Sequence, residues 1–379
     1  MNISKSIWSA LLAAACFSFA LTGCSEEKYE TVSFDKVKEE LNDYTFGEHD
    51  NLTFNCEVPS ITASEVYTIT MNKAVSDKTS EEDKLKLSNA VNSVYGIEVP
   101  TEKIQELQTQ GDEGSPDPVR LRFEIDGYGG EVYNGQSTFM LWRPLPSSEA
   151  IDLNFKDAQR YTATNYPKEA FKMADGSTLT VDKAIEQAKG YIDKLADCKM
   201  FDENESQKLT NIMVADTESG KVIVLHYRQI RYDIEVDDGG ALTFEPGADL
   251  MRNPFFEILF AGNDFPFNIR NMYSDGVNSK KAVDIIPLSA AEKILSSSLA
   301  PEVSYIVYDA ALRYCCVYQQ QDENREYRSM WCFVLSDQCK GENSNWSQYF
   351  PRITAYVDAV NGDFYYCDSQ KYVLEKLNG

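Results

Sequence analysis

Two histidines in 379 residues leave little room for imidazole chemistry. His49 stands in Gly47-Glu48-His49-Asp50 and His226 in Val224-Leu225-His226-Tyr227, and neither lies in a His-Glu-x-x-His helix or beside a cysteine. His226, set inside an apolar run, is expected to be a satisfied strand residue. The chain also lacks a Cys-x-x-Cys pair, a Gly-x-Ser-x-Gly elbow, a Walker loop and a dinucleotide glycine fingerprint. Zinc ribbons, dithiol redox centres, serine hydrolases of that type and nucleotide enzymes therefore lack their usual residues. Beyond the N-terminus no long apolar run occurs. The longest, Phe255 to Ala261, contains Glu257 and falls far short of the ~20 residues a membrane helix needs. Basic residues are scarce, with 36 Lys and Arg against 60 Asp and Glu, a net charge of −24. Such a surface repels phosphate backbones and anionic headgroups, which disfavours nucleic-acid binding and keeps the body away from a membrane surface.

What is present begins at residue 1. Lys5 precedes an apolar run from Ile7 to Leu21, which ends in Leu21-Thr22-Gly23-Cys24. A small residue before the cut and a thiol after it are what lipoprotein processing requires, because the Cys24 sulfur becomes the attachment point for diacylglycerol. Residues 1–23 are therefore expected to be a signal peptide, removed to leave Cys24 first and lipidated. Two acyl chains suffice for stable anchoring, so the expected location is the extracytoplasmic face of the cell membrane.

Of the nine cysteines, Cys16 leaves with the signal and Cys24 is lipidated. The others, Cys56, Cys198, Cys315, Cys316, Cys332, Cys339 and Cys367, are odd in number and cannot all pair internally. Adjacent strands would bring Cys332, Cys339, Cys367 and one of Cys315 or Cys316 into bonding range in an oxidising compartment. Small buried hydrophobes, or one or two structural bridges, are the expectation, with no metal or cofactor. Glu235-Val236-Asp237-Asp238-Gly239-Gly240 lacks the oxygen spacing of an EF-hand and is expected to be an acidic turn rather than a calcium loop.

Periodicity gives an α+β protein. Phe34, Val37 and Leu41 recur at helical spacing; Leu52 to Met71 alternates, with a break at Pro59; Leu85 to Val94 is helical and closes at Tyr95-Gly96. A short helix is predicted around Ile104 to Leu107. Strands follow at Val119 to Ile125 and Gly130 to Tyr133, then an Asn134-Gly135 turn and a return strand through Phe139 to Trp142. Leu179 to Ala196 predicts a helix, followed by strands at Ile212 to Ala215, Val222 to Tyr227 and Arg231 to Val236. Pro287 to Leu295 opens a second such helix, followed by strands at Val303 to Tyr308, Ala310 to Tyr318, Met330 to Leu335 and Ile353 to Asp358. The expected architecture is antiparallel curved sheets, each packed against a helix, twice in tandem. In boundaries this means a lipidated N-terminus and linker over 24–50, an N-terminal α+β domain over 51–145, a first helix-on-sheet unit over 146–285 and a second over 286–379.

The second unit carries a resemblance. Leu288-Ser289-Ala290-Ala291, then Ala311-Leu312-Arg313-Tyr314, Met330-Trp331-Cys332-Phe333 and Ala355-Tyr356-Val357-Asp358-Ala359-Val360-Asn361-Gly362-Asp363 follow in order. This resembles the extracytoplasmic PepSY-like modules of Gram-positive envelope proteins, including YycH/YycI-type regulators. Met330 departs from the usual proline, Asn361 from threonine and Asp363 from glutamate. The match spans Pro287 to Asp368, with a fainter echo over Leu179 to Asp238. The stretch from Cys56-Glu57-Val58-Pro59 to Gly96 is similar to Gram-positive lipoproteins of unknown function. The resemblance implies a non-enzymatic module that binds a protein or peptide. From the residues themselves, Asn361-Gly362 is expected to supply the left-handed positions of a hairpin turn, Asp358 to accept from the turn backbone, and Trp331 and Phe333 to fill the core.

Aromatics make up 12% of the chain. The run Asn253 to Phe260 is expected first of all to pack a core between the two units, with exposed rings such as Phe256 as candidate binders of a sugar or partner helix; the cluster Trp346, Tyr349 and Phe350 is the other candidate binding surface. Loops displaying rings are better candidates than strands. The expected role is thus a non-catalytic binding or regulatory lipoprotein with an envelope protein or peptide as partner. The alternative is an envelope glycan- or peptide-acting hydrolase or carbohydrate-binding lipoprotein. A solute-binding lipoprotein is disfavoured, because no alternating βαβ pattern appears.

Overall fold

The computed structural model of the protein describes residues 29–71, 81–108, 119–133, 138–144, 158–237, 242–243, 254–272, 276–319, 324–337, 353–368 and 373–376. Four α-helices are present among them: α1 (Phe34–Asp43), α2 (Glu81–Tyr95), α3 (Val181–Asp197) and α4 (Leu288–Ser298). The strands are β1 (Leu52–Phe54), β2 (Tyr67–Met71), β3 (Gln105–Gln108), β4 (Val119–Ile125), β5 (Tyr128–Tyr133), β6 (Phe139–Trp142), β7 (Gln159–Thr162), β8 (Ala170–Lys172), β9 (Thr178–Thr180), β10 (Glu205–Thr217) and β11 (Gly220–Arg231). They continue as β12 (Ile234–Glu235), β13 (Leu242–Thr243), β14 (Phe255–Phe260), β15 (Asn268–Met272), β16 (Val277–Ala282), β17 (Tyr305–Gln319), β18 (Asn324–Asp337), β19 (Ile353–Asp358), β20 (Phe364–Asp368) and β21 (Val373–Lys376). The protein is α+β, and among the described residues all strand pairs are antiparallel except β1 and β13 on β17.

Two large sheets organise the chain. One runs β3-β4-β5-β6-β15-β14-β11-β10-β7 with β12 beside β11; the other runs β1-β17-β18-β19-β20-β21, with β2, β13 and β16 added. Each buries one face under two helices. Val181, Ala184, Ala188, Tyr191 and Leu195 of α3 recur every three or four residues and join Leu87, Val91 and Val94 of α2 against Ile212, Leu225, Phe256, Ile258 and Ile269 of the first sheet. The start of α3 is fixed by Thr180, whose hydroxyl accepts from the Lys183 N–H at 3.2 Å. Under the second sheet lie Phe34 and Val37 of α1 and Leu288, Ala291, Ile294 and Leu295 of α4, against Trp331, Phe333 and Val357. The Glu40 carboxylate of α1 accepts from the Ser289 N–H at 3.0 Å and so caps α4 from another helix.

Helices on mostly antiparallel sheets are therefore what form, two helices to each sheet, and not in the expected sequential units. The domain expected over 51–145 is divided: β1 and β2 pair with β17 and β18, whereas β3 to β6 join β15 in the other sheet. β16, which falls inside the boundaries expected for the first unit, pairs with β2. The linker expected over 24–50 is in large part folded, since Val32 exchanges both backbone hydrogen bonds with Ile285 and α1 is in the core. Alternation marks strands but not their partners, which is why boundaries drawn from turns misplace these segments. The helix predicted around Ile104 to Leu107 is a 3-10 turn over Thr101–Lys103 followed by β3, because pairing with β4 satisfies that backbone better than one helical turn. The strand expected over Arg231 to Val236 reverses at Tyr232 and Asp233, both left-handed with φ 49° and 62°, a two-residue primed hairpin turn.

The closing motif follows its expectation in the core and differs in the turn. Trp331 and Phe333 are fully buried, and Asp358 accepts from the Val360 N–H at 2.8 Å and the Asn361 N–H at 3.4 Å. Only Gly362 is left-handed, φ 79°, and its N–H donates to the Asp358 carbonyl, so the turn is one residue wider than a two-residue hairpin.

A buried polar joint links the sheets. The Asp237 N–H donates to the Tyr314 carbonyl at 2.7 Å, running β12 alongside β17. Arg313, 5% exposed, faces Asp237 and Glu235 at 3.7 Å each and also pairs with Asp309. Tyr356 donates to Asp237 at 2.8 Å. Beside them the Cys315 and Cys332 sulfurs are 3.6 Å apart as free thiols, so Cys315 rather than Cys316 faces Cys332. Cys339 and the Cys367 side chain lie outside what is described.

Candidate functional site

Alternation along the first sheet sends one set of side chains to the helices and the other to the opposite face. Register places Thr162, Asn211, His226, Glu257, Arg270, Met140, Glu131 and Arg122 side by side, one from each of eight consecutive strands. This row crosses the whole helix-free face. Its centre is a carboxylate held from two sides: His226 Nδ1 lies 3.0 Å from Glu257 Oε1, and Arg270 donates to Oε2 from Nε at 2.7 Å. Glu257 is 6% exposed. Burial alone would raise its pKa, but the His226 hydrogen bond and the Arg270 charge outweigh that and hold it below the ordinary glutamate range.

Aromatic rings flank the row. Phe255 stacks on His226, with centroids 6.1 Å apart, and lies under the Arg270 guanidinium at 5.3 Å. Trp142 carries Arg122 at 5.2 Å. The indole occupies the space left by Gly129, where a Cβ would come within 2.1 Å of the ring.

At one end of the row the face opens into a groove of about 450 Å³ beside β7. It is lined by Tyr161, Tyr166, Pro167 and Met213 and by the polar Arg160, Asn165 and Asn211; Met213, Arg160 and Asn211 lie on the helix-free face, while Tyr161, opposite Ile212, and Tyr166 also pack against the helix-side core. Among the described residues β7 is an edge strand, paired with β10 alone. Tyr166 is oriented by donating to Asp182 at 2.8 Å, with Lys168 3.7 Å above its ring. A groove of mixed apolar and amide walls beside an open strand edge suits an extended polymer segment, whose backbone pairs with the edge while side chains enter the groove.

The sequence-predicted residues fall elsewhere. Cys24, Trp346, Tyr349 and Phe350 lie outside the described residues. Phe256 is fully buried, packed between Phe139, Phe201 and Tyr227, because its parity on β14 points it at the helices; its assignment to a binding surface is corrected. Its neighbours Phe255 and Glu257 point to the opposite, helix-free face instead, where Glu257 is buried beside the cluster of Val222, Val224 and Leu259. His226 is the satisfied strand residue expected. Glu235 and Asp237 of the acidic turn are engaged by Arg228, Lys208, Arg313 and Tyr356. No group of three metal-binding side chains occurs among the described residues. Burial would raise Glu235, but Arg228 and Lys208 hold it near 2.

His49 belongs to another cluster. Its Nε2 lies 2.5 Å from Glu292 of α4, which also accepts from the Gly47 N–H at 2.8 Å and from the Tyr44 hydroxyl. This fastens residues 44–49 to α4. Cys56, lining the adjacent groove, is pushed up to about 11 by burial and by Asp309 and is a thiol rather than a nucleophile.

The groove residues Arg160, Tyr161, Tyr166 and Asn211 were not singled out by sequence reasoning. The available signal was the alternation through Gln159–Thr162, too short to stand out without its partner strand. No family model matches the chain, and no curated protein matches it. Among solved structures, the crystal structure of an uncharacterized protein from Eubacterium rectale ATCC 33656 is similar, at 11% identity and a TM-score of 0.46, over 89% of this chain and 99% of that one.

Acid titration should expose the Glu257 cluster. Because its pKa is depressed on folding, its contribution is full above the ordinary glutamate pKa of about 4.3 and is lost as pH falls through the lower folded value. Glu257→Gln is expected to be less stable than wild type at neutral pH and to lose less further stability between about pH 6 and pH 3. Urea midpoints at the two pH values measure this; identical pH dependence in both proteins would refute it.

Proposed function

We propose that the protein is a lipoprotein held through Cys24 on the extracytoplasmic face of the membrane, where it binds an envelope protein or peptide without catalysis. The observation that carries this is the groove beside the β7 edge, continuous with the helix-free face. The order α4, β17, β18, β19, β20 within one sheet, as in the PepSY-like modules the sequence resembles, supports the same reading.

The test is a photo-crosslinking residue at Asn165 in cells, with mass spectrometry of the captured species. One dominant envelope protein is expected, with capture reduced at least roughly fivefold by Tyr166→Ala, since truncating an aromatic anchor costs about 1 kcal/mol of binding or more. The paired tyrosines and asparagines of the groove also suit stacking and amide hydrogen bonding to a sugar. Retention of glycan fragments with no protein captured would replace the protein-binding reading with the carbohydrate-binding one.

A further inference from the structure

If Cys24 is the lipid attachment point, as in the function proposed above on which this inference rests, very little chain separates bilayer from fold. Tyr29 already packs against the core under the second sheet, its ring 3.5 Å from where a Cβ on Gly362 would stand. Val32 is locked to Ile285 by hydrogen bonds of 2.9 and 3.1 Å, and Phe34 and Val37 are buried. Cys24 and Tyr29 are five residue steps apart, a reach of about 17 Å at full extension and about 12 Å on average for a flexible chain.

We propose that the surface formed by Tyr29, the turn from Ala359 to Asp363 and the adjoining turn of α4 around Ile294 is the membrane-proximal face of the anchored protein, and that its occupant is the bilayer holding Cys24. Tyr29 and Ile294 both lie beside Gly362, which places the three elements together: a Cβ there would meet Ile294 Cδ1 at 3.3 Å. The net charge of −24 supplies no attraction to headgroups, so tether length alone sets the approach. The body is therefore close to the membrane despite its charge, and a partner taken in the β7 groove must present its segment within one protein's width of the bilayer. A membrane protein's juxtamembrane segment meets that condition.

The experiment uses the full lipidated chain in phosphatidylcholine vesicles containing a headgroup-labelled acceptor lipid, with a fluorescent residue at exposed Lys293 on α4 or, separately, at exposed Glu30. Each is compared with the same protein carrying about 20 Gly/Ser residues inserted after Glu27, which takes the mean tether from about 12 Å to about 27 Å. Energy transfer to the bilayer is expected to fall roughly twofold on insertion from both positions. Flotation with the vesicles and the mass of the N-terminal peptide are measured on the same samples. Protein that is lipidated and floats, yet shows transfer unchanged by the insertion, overturns the membrane-proximal face while leaving the anchor intact. Absence of lipid on Cys24 overturns the anchor reading and this inference together.

Discussion

Asp237→Ala is expected to cost about 3–5 kcal/mol of folding stability, the usual consequence of removing one member of a buried ion pair. Arg313 is 5% exposed and its positive charge is supported by Asp237, Glu235 and Asp309. Burial would lower its pKa, but the charges of Asp237 and Asp309 outweigh that and keep it protonated. Losing Asp237 also strips the Tyr356 hydroxyl of its acceptor, deep beside Cys315 and Cys332. The cost is thus mostly that of stranded polar groups, and the double variant Asp237→Leu with Arg313→Met should recover a large part of it. Urea denaturation of the two single variants and the double variant measures the effect. A single-variant cost under about 1 kcal/mol, or a double variant as unstable as the sum of the singles, would show that the joint does not work this way.

Trp331→Ala should have an effect of similar size, about 3–5 kcal/mol. The indole is fully buried under α4, and its N–H donates to the Ile286 carbonyl at 3.0 Å. Removal opens a cavity and also leaves that carbonyl unpaired at the entrance to α4. Trp331→Phe separates the two contributions, since it keeps most of the packing and loses the hydrogen bond, at about 1–2 kcal/mol. If the phenylalanine variant proves as unstable as the alanine one, the hydrogen bond rather than the packing holds α4 on its sheet.

Local elements were legible in the sequence because their signals are local. Thr180 followed by apolar residues at helical spacing identifies α3; Leu121 and Phe123 alternating with Arg120 and Arg122 identify β4 and its faces. Trp331 and Phe333 announce their burial by parity alone. Long-range pairing left no such trace. Nothing near Leu52 indicates that its neighbour is Tyr305, so two strands were assigned to the wrong unit. The site was hidden for the same reason. His226 and Glu257 were each visible as polar residues inside apolar runs, but they become a cluster only through the antiparallel register of β11 and β14, with β15 contributing Arg270. Phe256 shows the converse error: an aromatic-rich strand draws attention to the ring that faces the helices, when one step of register puts Phe255 and Glu257 on the opposite face.

The pairing of Leu52 with Tyr305, of Tyr67 to Met71 with Val277 to Ala282, and of Val32 with Ile285 also governs when this chain becomes a folded protein. Contacts between segments so distant in sequence must bear the entropy of closing very long loops before they return any energy, and such folds are slow. Residues 29–71, which open the folded body, have no sheet to join until β16 to β18, residues 277–337, have been synthesised. Until then Phe34, Val37, Leu52 and Ile69 have no core, and the newly made N-terminal region depends on being held apart from its neighbours. A chain cut short before β17 would carry the same exposed surface permanently and be a substrate for degradation rather than a partial version of the protein.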